Sequence, residues 1–285
     1  MAPAPPPPRS SPPPGSTKGK AGIAMTWPSE SPVRETPRIV LNAVEGWGKT
    51  TAGAYAPDPV ILMASGETGY TTLYGAGLVP RVPVIQCDSW SDTISAVRSL
   101  CDDPQNRKTI ILDALIGFEQ HCHQFVCDRD FGGNWGGESD KGFVSWAKGY
   151  DIAAKEWLVL LAVLDRIRAK HKVVIVMLSH SIIRPFKNPM GDDFDRYVAD
   201  CHHKTWGNTH KWADVVLFGT FVTVVKDASK GKGKAVGTND RVIYTERRDA
   251  FDAKNRLAMP ESLDIPNDRT KVWSTIWNAI NGESK

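Results

Sequence analysis

Residues 38 to 51 read Arg-Ile-Val-Leu-Asn-Ala-Val-Glu-Gly-Trp-Gly-Lys-Thr-Thr. No other stretch constrains the fold as strongly, because it joins a buried strand to a phosphate-binding turn. Ile39, Val40 and Leu41 are a short apolar run that reads as the strand. Ala43-x-x-x-x-Gly48-Lys49-Thr50 follows, the P-loop pattern with Ala in place of the first Gly. Small residues let backbone N–H groups turn inward around a β-phosphate. The nucleotide-binding segment is therefore expected to be Ala43, Glu45, Gly46, Trp47, Gly48, Lys49, Thr50 and Thr51. Lys49 is expected to reach the β/γ oxygens, and the Thr50 hydroxyl to complete a Mg²⁺ shell. Pro57 ends the helix that follows, which leaves about two turns. Gly-Lys-Thr also occurs by chance in loops, but here strand, loop and helix stand in the required order.

Alternation of strand and helix continues downstream. Pro59–Ala64, Val82–Gln86, Thr109–Leu112 and Val173–Leu178 read as further strands. Helical spacing marks Ser91–Cys101, through Ile94, Val97 and Leu100. Residues 150 to 170 form the longest predicted helix, with a broad apolar stripe. Val173–Leu178 is apolar throughout, as a central parallel strand requires. The pattern predicts an α/β fold with a mainly parallel sheet and helices on both faces. Val215–Val225 and Arg241–Thr245 then read as an antiparallel hairpin, and Val272–Ile280 as an amphipathic closing helix. Residues 1 to 36 are Pro-, Ser- and Gly-rich and are expected to be a disordered tail. The core would span 37 to 265, with the closing helix in 266 to 285.

Three residues complete the expected chemistry. Asp113 ends an apolar strand about sixty residues after the loop, the place for a carboxylate that holds Mg²⁺ through water. Its alternative is a helix cap. Glu67, in Ser65-Gly66-Glu67, follows the second strand on the same carboxyl edge and suits a base that orients water. His180 ends the fifth predicted strand on that edge, where a polar side chain would touch the γ-phosphate; a structural His is the equal alternative.

Taken together, these positions resemble the RecA-like recombinase core over residues 38 to 265, and most of all its divergent phage branch of single-strand annealing ATPases and related phage nucleotide-binding proteins. The resemblance implies ATP hydrolysis with Mg²⁺. Tyr74, seven residues after Glu67, would stack on adenine. Lys254-Asn255-Arg256 resembles the segment that supplies a cation to a neighbour's ATP, which makes Lys254 and Arg256 candidate catalytic cations; a solvated charged turn is the alternative. It further implies a homo-oligomer, ring or filament, that binds single-stranded DNA for annealing or recombination in the cytoplasm of a bacterial host, and leaves room for a single-strand-binding protein as partner.

Two loops would line the DNA channel, 127 to 149 and 181 to 205. Trp135 in the first could stack on bases, and Arg184 and Lys187 in the second could meet phosphates. Lys230, Lys232 and Lys234 form a basic loop between the two hairpin strands. Charge in the two channel loops is mixed and makes no clear electrostatic footprint. The net charge of +3 does not by itself imply a nucleic-acid or membrane partner. No apolar run is long enough to span a bilayer, and five cysteines without framework spacing suit a reducing compartment. His121-Cys122-His123 with Cys127, and Cys201-His202-His203, could together make a tetrahedral metal site, but no paired C-x-x-C accompanies them. The chain is also expected to lack the separate C-terminal domain of the resembled recombinases, and it shows no obvious N-terminal oligomerisation strand. The alternatives are a P-loop small-molecule kinase, which would want an arginine-rich lid, or a nucleotide-binding scaffold or packaging factor.

Overall fold

The computed structural model describes residues 35–136, 141–226 and 234–283. The expected tail therefore lies almost wholly outside the described residues, as do Lys230 and Lys232. From Arg38 the elements run β1 (Arg38–Ala43), α1 (Lys49–Ala54), β2 (Pro59–Ala64), α2 (Gly69–Gly75), β3 (Val84–Cys87) and α3 (Trp90–Asp102). Next come β4 (Thr109–Asp113), α4 (Leu115–Phe131), α5 (Lys148–His171), β5 (Val174–Phe186), β6 (Phe194–Ala199) and α6 (His203–Trp212). The last part holds β7 (Val215–Lys226), β8 (Lys234–Tyr244), β9 (Lys254–Asn255), β10 (Ser262–Ile265) and α7 (Val272–Asn281).

The main sheet has the order β10-β8-β7-β1-β5-β4-β2-β3. From β7 through β3 neighbouring strands are parallel, and β8 and β10 add antiparallel pairs at the other side. Strand periodicity of two sorts the apolar side chains into two cores. Val40, Leu62, Ile110, Leu112, Ile175 and Met177 face α3, α4 and α5. Ile39, Leu41, Ile61, Ile111, Val176 and Leu178 face α1 and α7. Burial on both faces explains why these strands read as unbroken apolar runs. The α/β architecture with helices on both faces is as the pattern predicts. No helix among the described residues is long and apolar enough to cross a membrane.

Two segments expected to be open loops are built differently. Within 181 to 205, Ser181–Phe186 continues β5 and pairs antiparallel with β6, and α6 begins at His203. Within 127 to 149, the first residues finish α4 and the last begin α5. Between them, Phe143 and Val144 N–H donate to the Asn134 and Trp135 carbonyls at 2.9 Å.

The helices of the first core are tied by polar contacts that sequence spacing does not show. Glu119 on α4 is buried, and its carboxylate accepts the His202 N–H ahead of α6 at 2.9 and 3.0 Å. Trp157 on α5 donates to Thr209 on α6 at 2.9 Å. Next to Glu119 on the same helix, His123 packs between Phe143, Tyr150 and His202, with ring centroids at 5.5, 5.3 and 6.2 Å. Burial, then His202, pushes its pKa down to about 4.

A histidine held neutral by folding takes up protons when the chain unfolds. Its contribution is fully present above the unfolded value near 6.5 and is lost as pH falls through about 4. Denaturant unfolding of wild type and His123→Gln at pH 7 and pH 5 should show wild type losing about 1 kcal/mol per pH unit more than the variant. Equal pH slopes would refute the assignment.

Candidate functional site

Parallel pairing fixes which residues meet at the carboxyl edge of the sheet. Ala43 at the end of β1 stands opposite His180 of β5 and Gly219 of β7. Met63 of β2 pairs with Asp113 of β4, so Ser65 and Glu67 emerge next to Asp113. The P-loop residues, Asp113, Glu67 and His180 thus share one edge, although they lie on four different strands.

The loop takes its shape from Gly46 and Gly48, with φ of +71° and +103°. Side chains rarely adopt such values, which explains glycine at both. Trp47 between them is fully buried and points into the core beneath the loop, so only its backbone is left for a ligand. Gly219 makes room for it: a Cβ there would lie 2.8 Å from both Ala43 Cβ and Trp47 Cε2. Arg241 on β8 seals the outer side. Its Nη1 donates to the Trp47 carbonyl at 3.2 Å, its Nη2 to Pro266 O at 2.6 Å, and its guanidinium lies 5.8 Å from the Trp47 ring centroid. Glu45 and Gly46 are exposed on the loop, and Thr51 is buried in α1.

Lys49 is buried, and its Nζ donates to the carbonyls of Ala43 at 2.9 Å and Val44 at 3.3 Å. Burial lowers its pKa, opposed by Asp113, Glu45 and Glu67. Thr50 Oγ1 donates to Asp113 Oδ2 at 2.7 Å. Burial pushes the Asp113 carboxyl up to about 6, against the pull of the Thr50 hydrogen bond. A hydroxyl and a carboxylate side by side make an oxygen-only donor set, which fits Mg²⁺. Glu67 approaches His180 with Oε1 3.8 Å from Nε2. Tyr74 on α2 is 46% exposed, with its ring stacked on Tyr70 at 6.0 Å. Tyr70 is itself anchored through its hydroxyl, which donates to Val82 O at 3.1 Å.

Several other expected positions are placed differently. Lys254 is not a free cation: its ammonium donates to the carbonyls of His210 at 2.6 Å, Lys211 at 3.1 Å and Ala213 at 2.6 Å. It closes the C-terminus of α6, where a cation is favoured. Desolvation lowers its pKa to about 8. Asn255 builds the following turn by accepting from Leu257 and Met259 N–H, and Arg256 is exposed. Because β9 pairs with Val215 and Val216 at the start of β7, this segment sits at the edge opposite the P-loop.

Around the second expected DNA loop, Arg184 lies 3.8 Å from Asp200, Arg196 is buried against Asp252 at 2.5 Å, and Lys204 pairs with Asp151 at 2.6 Å. Lys187, the fourth Lys or Arg of this segment, has no partner among the described residues. Lys234 pairs with Lys226 in the β7–β8 ladder. Trp135 is 40% exposed and packs on Phe143 at 4.8 Å. Trp146, which sequence reasoning passed over, is 85% exposed. The Cys/His segments meet only in part: His123 and His202 are in ring contact at 6.2 Å and His202 stacks on Tyr150 at 4.1 Å, whereas His121 turns to Ser65. The five cysteines are free.

Gly219, Arg241 and the Ser65–His121 contact also escaped sequence reasoning. Gly219 and Arg241 lie more than 170 residues from the loop they shape, and no local pattern marks them.

No curated protein matches the chain. A solved structure titled crystal structure of the RadB recombinase aligns at 14% identity with a TM-score of 0.43, covering 83% of this chain and 90% of that one. The model of a family described as AAA domain matches residues 35–257, most of the chain and all of the P-loop edge. The chain belongs to that AAA domain family.

Proposed function

We propose that the carboxyl edge binds ATP with Mg²⁺ and hydrolyses it, and that the protein does so while assembled on single-stranded DNA. The observation that carries the ATPase reading is the convergence of Lys49, Thr50, Asp113, Glu67 and His180 on one sheet edge, with Thr50 and Asp113 in direct hydrogen bond. Backbone amides of Glu45 to Lys49 would cradle the phosphates, the Val44 N–H being donated to Gly219 O at 3.1 Å. Lys49 Nζ, now on the Ala43 and Val44 carbonyls, would transfer to the β/γ oxygens. Thr50 and Asp113 would hold Mg²⁺, which neutralises phosphate charge when bound. Glu67 would orient and deprotonate the attacking water. His180, 3.8 Å from Glu67, would contact the γ-phosphate, and Tyr74 would stack on adenine.

The DNA reading rests on resemblance, supported by two exposed indoles. Trp135 and Trp146 lie between α4 and α5 and would offer aromatic faces to unstacked bases. Lys187 and Arg184 on the β5–β6 hairpin would add phosphate contacts. A homo-oligomer would use Arg256 alone as the trans cation, because Lys254 is committed to α6. We place the biological role in annealing or recombination of phage DNA in a bacterial cytoplasm.

Turnover of Mg²⁺-ATP tests the first part. Glu67→Gln should bind ATP like wild type and hydrolyse it about 10²–10⁴-fold more slowly. Wild-type turnover in that variant would remove Glu67 from the mechanism. Binding of a fluorescent oligo-dT to the ATP-loaded protein tests the second. Trp146→Ala should weaken it by about 1–3 kcal/mol, with little change in salt dependence. A wild-type protein that fails to bind single-stranded DNA with or without ATP would leave an ATPase without the DNA role.

A further inference from the structure

The turn that carries Glu67 is held from one side by α4. Gly117 passes the end of β2 so closely that a Cβ on it would stand 2.5 Å from Ala64 Cβ. One helical turn later, and so on the same face, His121 Nε2 lies 2.6 Å from Ser65 Oγ. Ser65 is exposed at the carboxyl edge, and Gly66 after it has φ of +86°. The turn closes with Glu67 N–H donating to Ala64 O at 3.2 Å. Two contacts from one helix face thus seat the Ser65-Gly66-Glu67 turn, one steric and one polar.

The direction of the polar contact follows from the other side of the imidazole. His121 Nδ1 is buried and has no hydrogen-bond partner. A proton there would be a buried, unpaired N–H, the rarer and more costly kind of orphan. The proton therefore belongs on Nε2, which donates to Ser65 Oγ. That leaves the hydroxyl proton of Ser65 free to turn toward the edge where Glu67 and His180 stand 3.8 Å apart.

We propose that His121 and Ser65 act as a positioning pair for hydrolysis: His121 fixes the Ser65 hydroxyl and its turn, so that Ser65 presents a donor, and Glu67 its carboxylate, to the attacking water or terminal phosphate. The pair rests on the reading of Glu67 as the group that orients water. It makes Ser65 a functional position that the P-loop pattern does not contain. No bond to the nucleotide is made or broken by His121, which acts only through Ser65.

The test is a double-mutant cycle on the full chain with Ser65→Ala, His121→Ala, both together, His121→Gln and Glu67→Gln, reading kcat, KM, ATP affinity and Tm. Each alanine should lower kcat about tenfold, the worth of one well-placed hydrogen bond, with ATP affinity and Tm close to wild type. The double variant should fall no further than either single, because both remove the same contact. His121→Gln, whose amide can still donate to Ser65, should recover part of the rate. Unchanged kcat, losses that multiply in the double variant, or losses that appear equally in ATP affinity would overturn the pair. If Glu67→Gln is inactive while both alanines turn over normally, the pair alone fails; if Glu67→Gln turns over normally, the reading of Glu67 and the pair fail together.

Discussion

The site depends on β1 being hydrogen-bonded on both sides, to β5 and to β7, in one parallel register. That register sets Ala43 between His180 and Gly219, and the loop that leaves Ala43 can only close over whatever β7 and β8 present. They present a gap and a clamp. Gly219 leaves space that Trp47 fills completely, and Arg241 holds the Trp47 carbonyl from outside. At the far end of β1, the Arg38 guanidinium forks onto both oxygens of Asp214 at 3.1 and 2.7 Å, pinning β1 to the start of β7. The loop is therefore preorganised by packing at one end of the strand and by charge at the other.

Such preorganisation matters because the groups that it positions are expensive to bury. Lys49 and Asp113 both have their pKa values moved by burial toward the neutral form. Oxygen and nitrogen dipoles fixed in a low-dielectric edge act strongly on charge that arrives there, and need little reorganisation when it does. A triphosphate and a divalent cation are charges of the matching kinds. The Lys49 contacts with Ala43 and Val44 carbonyls, and the Thr50 contact with Asp113, keep these groups satisfied without filling the loop.

The parallel core and the P-loop edge were legible because their signals are local. Ile39–Leu41, Ile110–Leu112 and Val174–Leu178 are apolar runs buried on both faces, and the Gly48-Lys49-Thr50 spacing carries its own chemistry. Other features are written across distance. The helix signal of α4 is blurred, since Glu119 and His123 are buried on the same face as Leu115, Phe118, Cys122 and Val126. The β5–β6 hairpin hid behind turn-like residues 187 to 193, and its cations Arg184 and Arg196 look free until Asp200 and Asp252 come up against them. Lys254 looks free in the sequence for the same reason. Its partners are backbone carbonyls at the end of α6, which have no identity in the sequence.

In the proposed function, this edge is a Mg²⁺-dependent ATP site built on Lys49 and the Thr50–Asp113 pair. Calorimetric titration of ATP into wild type and Lys49→Ala, each with Mg²⁺ and with chelator, addresses it directly. Saturable binding to wild type is expected in Mg²⁺, with at least about tenfold weaker binding in chelator and none to Lys49→Ala, since about 1.4 kcal/mol already separates tenfold affinities. Equal binding to wild type and Lys49→Ala, or binding to wild type that ignores Mg²⁺, would contradict it.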